Sequence, residues 1–118
     1  MSESILRDKS YSFAIRIVNL ATYLKENHQD WVLSQQVLKS GTAIGAFIRE
    51  AEFAQSKADF ISKMSIALKE ANETEYWLNL LKDTSHLPTK LYKSLQIDCQ
   101  ELIAMLVSSV KTAKKSIK

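Results

Sequence analysis

The sequence predicts an all-α protein, an antiparallel up-down-up-down four-helix bundle forming a single domain over residues 1–118, and three observations carry that expectation. Turn-forming residues are scarce: the chain holds two glycines, Gly41 and Gly45, and one proline, Pro88, whereas hairpin-rich sheets need residues that accept unusual backbone angles. Apolar residues recur at alternating spacings of three and four along four segments, the period that lays one stripe on a helix. Short polar breaks separate the segments, and a short connection cannot carry the chain back to its starting end, so sequence neighbours run antiparallel. With 46% hydrophobic and 25% charged residues, the chain has material for one core and no composition shift that divides it.

The first helix is expected over about 4–27, with Leu6, Ser10, Phe13, Ile17, Leu20 and Leu24 as its seam. The stretch NHQD breaks it, and Asp30 is placed to accept the free amide hydrogens of the next helix start. The second helix, about 31–55, has the stripe Leu33, Val37, Ile44, Ile48 and Ala51. Gly41 and Gly45 lie in its middle, on the flank of that stripe. Each costs about 1 kcal/mol relative to alanine there, and two small residues four apart offset the loss by letting a neighbouring helix approach closely. GTAIG itself is neither a phosphate loop nor a dinucleotide fingerprint, since no lysine follows and no strand precedes it.

Ser56 and Asp59 have capping-box spacing at the start of a third helix, about 58–83. Phe60, Met64, Ala67, Ala71, Thr74, Leu78 and Leu81 form its seam. TSHLP ends that helix, and Pro88 supplies the backbone angle favoured in a first turn. A fourth helix, about 88–116, turns Leu91, Leu95, Cys99, Leu102, Leu106, Val110 and Ala113 inward. In this topology the first and third connections share one end of the bundle, and the N-terminus, second connection and C-terminal lysines share the other.

A bundle helix needs one apolar stripe, so a second stripe requires a partner. Ile66, Trp77 and Leu80 project away from the third seam, and Tyr11, Ile15 and Val18 away from the first. Grouped apolar residues on an outer face mark an interface; two such faces serve a closed ring of identical subunits as readily as a two-fold dimer. Glu70 and Glu73 lie beside Trp77, and Glu75 on the core flank is expected to pair with a lysine or arginine of a neighbouring helix. Arg49 and Glu50 read as inter-helix or inter-subunit ion pairs.

No catalytic, cofactor or metal site is expected. Di-metal bundles use glutamates with Glu-x-x-His pairs on facing helices, whereas His28 and His86 fall in the first and third connections and neither has a glutamate three residues before it. They could meet at one end of the bundle, but two ligands make a poor site. Cys99 sits inward as a small hydrophobe with no histidine to activate it.

Residues 1–110 carry 12 basic and 13 acidic groups, so the net charge of +3 comes from Lys111, Lys114, Lys115 and Lys118. At helical angles these lysines form one face. They complement the helix dipole as solvated cations, or they bind phosphates of a nucleic acid, an effect that multiplies if several subunits pool them. The longest apolar run, Leu102 to Val107, is six residues against about 20 for a membrane span; MSESILRDKS has no signal-peptide core, and the single cysteine cannot form an internal disulfide. The expected location is cytoplasmic.

Residues 35–81, QQVLKSGTAIGAFIREAEFAQSKADFISKMSIALKEANETEYWLNLL, resemble the bacterial four-helix-bundle proteins encoded in intervening sequences of 23S ribosomal RNA genes. The specific parts are Ser40-Gly41-Thr42 with Gly45, then Arg49-Glu50-Ala51, Asp59-Phe60, and Ala67 to Ala71 followed by Glu73, Thr74, Glu75 and Trp77-Leu78. The resemblance extends more weakly through SYSFAIRIVNLATYLKE and fades in the fourth helix. That family resembles the accessory proteins of diversity-generating retroelements, which form pentameric barrels and contact nucleic acid and a reverse transcriptase. The resemblance therefore implies a homopentamer, with ribosomal RNA or another nucleic acid as a partner, or a protein such as a reverse transcriptase. It implies no catalytic residue. A protein-interaction scaffold with no nucleic-acid role is the alternative reading.

Overall fold

The computed structural model describes residues 2–116, with side chains from Ile5 onward. Its helices are α1 (Ser2–His28), α2 (Trp31–Glu52), α3 (Lys57–Asp83) and α4 (Thr89–Ser116), and the described residues contain no strand. They form a rod of 49 × 21 × 20 Å, its length set by helices of 22 to 28 residues rising about 1.5 Å per residue. Each helix packs on its neighbours in sequence; α1 and α4 close the bundle with the loosest of the four seams.

Local chemistry explains the ends. Asp30 accepts the Leu33 amide hydrogen at 2.8 Å, and Ser56 accepts that of Asp59 at 3.0 Å, satisfying donors that a helix start leaves free. Asp59 reaches back to the amide of Gln55 at 3.2 Å, not to Ser56. That contact belongs to the connection, so α2 ends at Glu52, three residues before the expected boundary. Phe53 and Ala54 fold back onto the carbonyls of Glu50 and Ala51. α4 begins at Thr89, with the Pro88 carbonyl accepting from Tyr92 at 3.0 Å; the proline thus stands just outside the helix.

At the other end, α1 and α3 stop through left-handed residues, Gln29 (φ 52) and Ser85 (φ 62). The following amides close onto Leu24 and Leu81, at 3.3 and 2.8 Å, in the manner of a helix terminator that usually employs glycine. The glycines of this chain serve elsewhere.

All six seam residues of α1 are buried, as are Met64, Ala67, Ala71, Thr74, Leu78 and Leu81 of α3. Phe60 is half-buried at the open end of its seam. Two further differences from the sequence reading arise from polar partners. In α4 Tyr92 turns inward in place of Leu91, because its ring lies 4.8 Å from the Lys82 ammonium and its hydroxyl donates to Asn79. In α2 Leu33 is half-buried while Ser34 and Ser40 are buried. Ser34 donates to the Ala21 carbonyl at 3.0 Å. Thr74 Oγ1 is 2.8 Å from the Glu70 carbonyl and 2.9 Å from Ser40 Oγ; with one hydroxyl proton, it donates to the former and accepts from the latter. These bonds remove the cost of enclosing hydroxyls.

Candidate functional site

Gly41 is buried, and a Cβ built there would lie 2.7 and 2.8 Å from Cγ1 and Cγ2 of Ile17 and 3.2 Å from its Cβ. Those atoms belong to the stiff, branched root of the side chain, so α1 and α2 approach as they do only because residue 41 lacks a side chain. Gly45 differs from the expectation of close packing at both positions: its Cβ would meet Ser10 Oγ at 3.4 Å and the Ser10 carbonyl oxygen at 3.5 Å, ordinary contact distances. The α1 crossing diverges enough within one turn to leave space for a methyl group.

The outer face of α1 carries Tyr11, Ile15 and Val18, exposed by 65, 50 and 47%. Their spacing of four and three places them on one strip, turned away from the buried seam of the same helix. On α3 the corresponding group is less open: Ile66, Trp77 and Leu80 are half-buried, and Trp77 packs against the core. Trp77 lies two heptads from Lys63, which reaches across to Glu50 of α2 at 3.2 Å, so the indole occupies the flank facing α2. Its N–H donates to Glu73 at 3.3 Å.

The remaining acidic positions have mixed partners. Glu50 forms the inter-helix pair with Lys63, whereas Arg49 is exposed and makes no ion pair among the described residues. Glu75 receives a hydrogen bond from Gln100 of α4 at 2.9 Å, not the expected cation; a neutral amide satisfies a half-buried carboxylate without a second charge to desolvate. Glu70 is half-buried, and its carbonyl receives the Thr74 hydroxyl.

His28 and His86 do meet, with ring centroids 4.9 Å apart. His86 is engaged on both nitrogens, by Asp30 at 3.0 Å and Thr84 at 2.8 Å, a contact that ties the first and third connections together. Among the described residues no group of three His, Cys, Asp or Glu side chains is placed to hold a metal ion. Cys99 is fully buried, donating weakly to the Ala71 carbonyl at 3.4 Å, and burial pushes its thiol up to about 12. A thiol reagent at neutral pH, which attacks through the thiolate, is therefore expected to modify Cys99 only at the rate of unfolding; rapid labelling of the native protein would contradict this placement.

Lys111, Lys114 and Lys115 are exposed on the last turns of α4, while Lys118 lies outside the described residues. The fold adds to them. Cutting the rod at mid-length, after Ile15, Gly41, Glu70 and Leu102, divides residues 5–116 into nine basic and five acidic side chains at the α4 C-terminal end, against six and seven at the other. Lys111, Lys114 and Lys115 supply most of this excess, since Arg7, Lys9, Arg49, Lys57, Lys63 and Lys69 from the other three helices stand against the five acidic side chains of the same end. Phe53, 80% exposed at the same end, escapes a sequence reading because nothing in EAEFAQS announces that α2 stops before it.

Among the described residues, no helix is long and apolar enough to cross a membrane. These features define an all-α bundle with an open apolar strip and one basic end. The family model described as 23S rRNA-intervening sequence protein matches residues 2–108, and the chain belongs to that family. The matched segment stops three residues before Lys111. Among solved structures, the chain is similar to a protein of unknown function from the S23 ribosomal protein family of Bacteroides thetaiotaomicron VPI-5482, solved at 1.70 Å resolution. The two are 52% identical over 94% of this chain and 99% of that one, with a TM-score of 0.92. No curated protein matches the chain.

Proposed function

We propose that the chain is a non-enzymatic, cytoplasmic binding protein that assembles with copies of itself by packing the outer face of α1 on the outer face of α3 of the next subunit, around Ile66, Trp77 and Leu80, and holds RNA against its basic end. The observation that carries the RNA reading is the segregation of charge along the rod, nine basic against five acidic side chains at one end. Phosphate binding is driven by such clustering, through release of counterions from the nucleic acid. Assembly is supported by Tyr11, Ile15 and Val18, an apolar strip exposed in the isolated chain. By family resemblance the assembly is a homopentamer, in which five basic ends act together, and ribosomal RNA is the partner to which the family description points. Burial of Cys99 and the engagement of both His86 nitrogens by Asp30 and Thr84 favour structural over catalytic roles for these groups.

Affinity for RNA is expected to fall steeply with salt, with a logarithmic slope of about −3 for every four phosphates engaged on a single strand. Replacing Lys111, Lys114, Lys115 and Lys118 together by glutamine should lower both the affinity and the slope. Anisotropy titrations at several salt concentrations measure this, and no detectable RNA binding at low salt would overturn the reading. The same strip on α1 fits a protein partner such as a reverse transcriptase. A nuclease-insensitive complex with one host protein, by a chain without RNA affinity, would make it a scaffold.

A further inference from the structure

We infer that the RNA engaged at the basic end is single-stranded there, with an unpaired base stacked on Phe53 of the α2–α3 connection; the inference rests on the RNA-binding reading above. Phe53 is the most exposed of the large hydrophobic side chains in the described residues, at 80%. Its backbone is fixed, since its amide closes the end of α2 onto the Glu50 carbonyl at 3.2 Å. The ring is thus presented to solvent from a rigid base.

Its chain neighbours Glu52 and Ala54, though not Phe53 itself, line a groove of about 730 Å³ between the α2–α3 connection, the start of α3 and the end of α4, within the roughly 300–1,000 Å³ of clefts that take small ligands. Phe60 and Met105 give the groove apolar walls; Ser56, Ser109 and Thr112 add hydroxyls, Lys57 a cation and Glu52 a carboxylate that Arg7 already pairs at 3.3 Å. With the base on Phe53, the hydroxyl groups and the Lys57 ammonium nearby suit the sugar and phosphate of the same strand. Stacking on an aromatic ring requires a base released from pairing, which is how sequence-tolerant single-strand binders gain affinity.

Trp31 offers a comparable ring at the opposite end, 65% exposed. It is the poorer platform, because Lys25 Nζ already stands 5.6 Å from its centroid and its half of the rod has no basic excess. Phe53 combines an open ring with the attracting charge.

The test compares one short single-stranded RNA with the same strand annealed to its complement, using the full chain and its Phe53→Ala and Phe53→Trp variants at low salt. Phe53→Ala should bind the single strand about five- to a hundred-fold more weakly, the loss expected for one stacked base, with duplex binding unchanged and affinity restored in Phe53→Trp. Circular dichroism and light scattering should show all three proteins equally folded and assembled. If the wild-type protein binds RNA and Phe53→Ala binds it equally well, the inference is wrong while the RNA-binding reading stands. If Phe53→Ala instead dissociates the assembly, the ring is a subunit contact and the inference is likewise overturned. Absence of RNA binding by the wild type removes both.

Discussion

Substituting alanine for Gly41 should destabilise the fold by about 1–2 kcal/mol, while the same substitution at Gly45, four residues away in the same helix, should stabilise it by about 1 kcal/mol. Both variants gain helix propensity relative to glycine, worth about 1 kcal/mol each, so the sign is decided by the space available. At Gly41 the added methyl group falls 2.7 Å from Ile17 Cγ1 and 2.8 Å from Cγ2. Relief requires α1 to move or Ile17 to leave its rotamer, and overpacking of this kind costs about 1–3 kcal/mol or more. At Gly45 the nearest atom of α1 is Ser10 Oγ at 3.4 Å, and the methyl group fits with the backbone unmoved. For a domain of this size the two variants should differ in thermal midpoint by on the order of 10 °C. Equal midpoints would show that α1 and α2 are not held at the distance the structure gives them.

Replacing Ile15 by aspartate should break the proposed assembly while leaving each bundle folded. Ile15 is 50% exposed in the isolated chain and flanked on its strip by Tyr11 and Val18, so the charge adds little strain to the monomer but would have to be enclosed, unpaired, in any interface the strip forms. The expected signature is a drop to the mass of a single chain with the helical circular dichroism retained. Loss of assembly should also weaken RNA binding more than any one lysine substitution, because it separates basic ends that act together. A variant that keeps the wild-type mass would place the subunit contact elsewhere.

The fold is readable in sequence because its main driving force, burial of one apolar stripe per helix, writes itself as a period of three and four. The seam of α1, from Leu6 to Leu24, follows from spacing alone. Where polar groups find internal partners, spacing fails. Ser34 and Ser40 lie in the core through bonds to Ala21 and Thr74, and Tyr92 displaces Leu91 through Asn79 and Lys82. The end of α2 is hard to place because it closes on Phe53 at φ −108, with neither a glycine nor the left-handed residue that Gln29 and Ser85 supply after α1 and α3. Trp77 illustrates a third effect. Helical angle separates it from the seam, but contact with the flank of a neighbouring helix half-buries it.

The candidate site is legible in sequence only in its lysines, which occupy consecutive turns of one helix. Its other basic contributors, and Phe53 beside them, come together only when the topology brings the α2–α3 connection alongside the end of α4. Charge counted along the rod leaves the same lysines dominant, with six basic and five acidic side chains beside them at that end.

The central claim, that the exposed strip on α1 packs on a second face of an identical subunit to close a ring, is tested most directly by light scattering of the purified chain at micromolar concentration. A mass of five times 13.4 kDa is the predicted result. A mass of 13.4 kDa, unchanged on concentration, would contradict it and leave Tyr11, Ile15 and Val18 without a subunit to cover them.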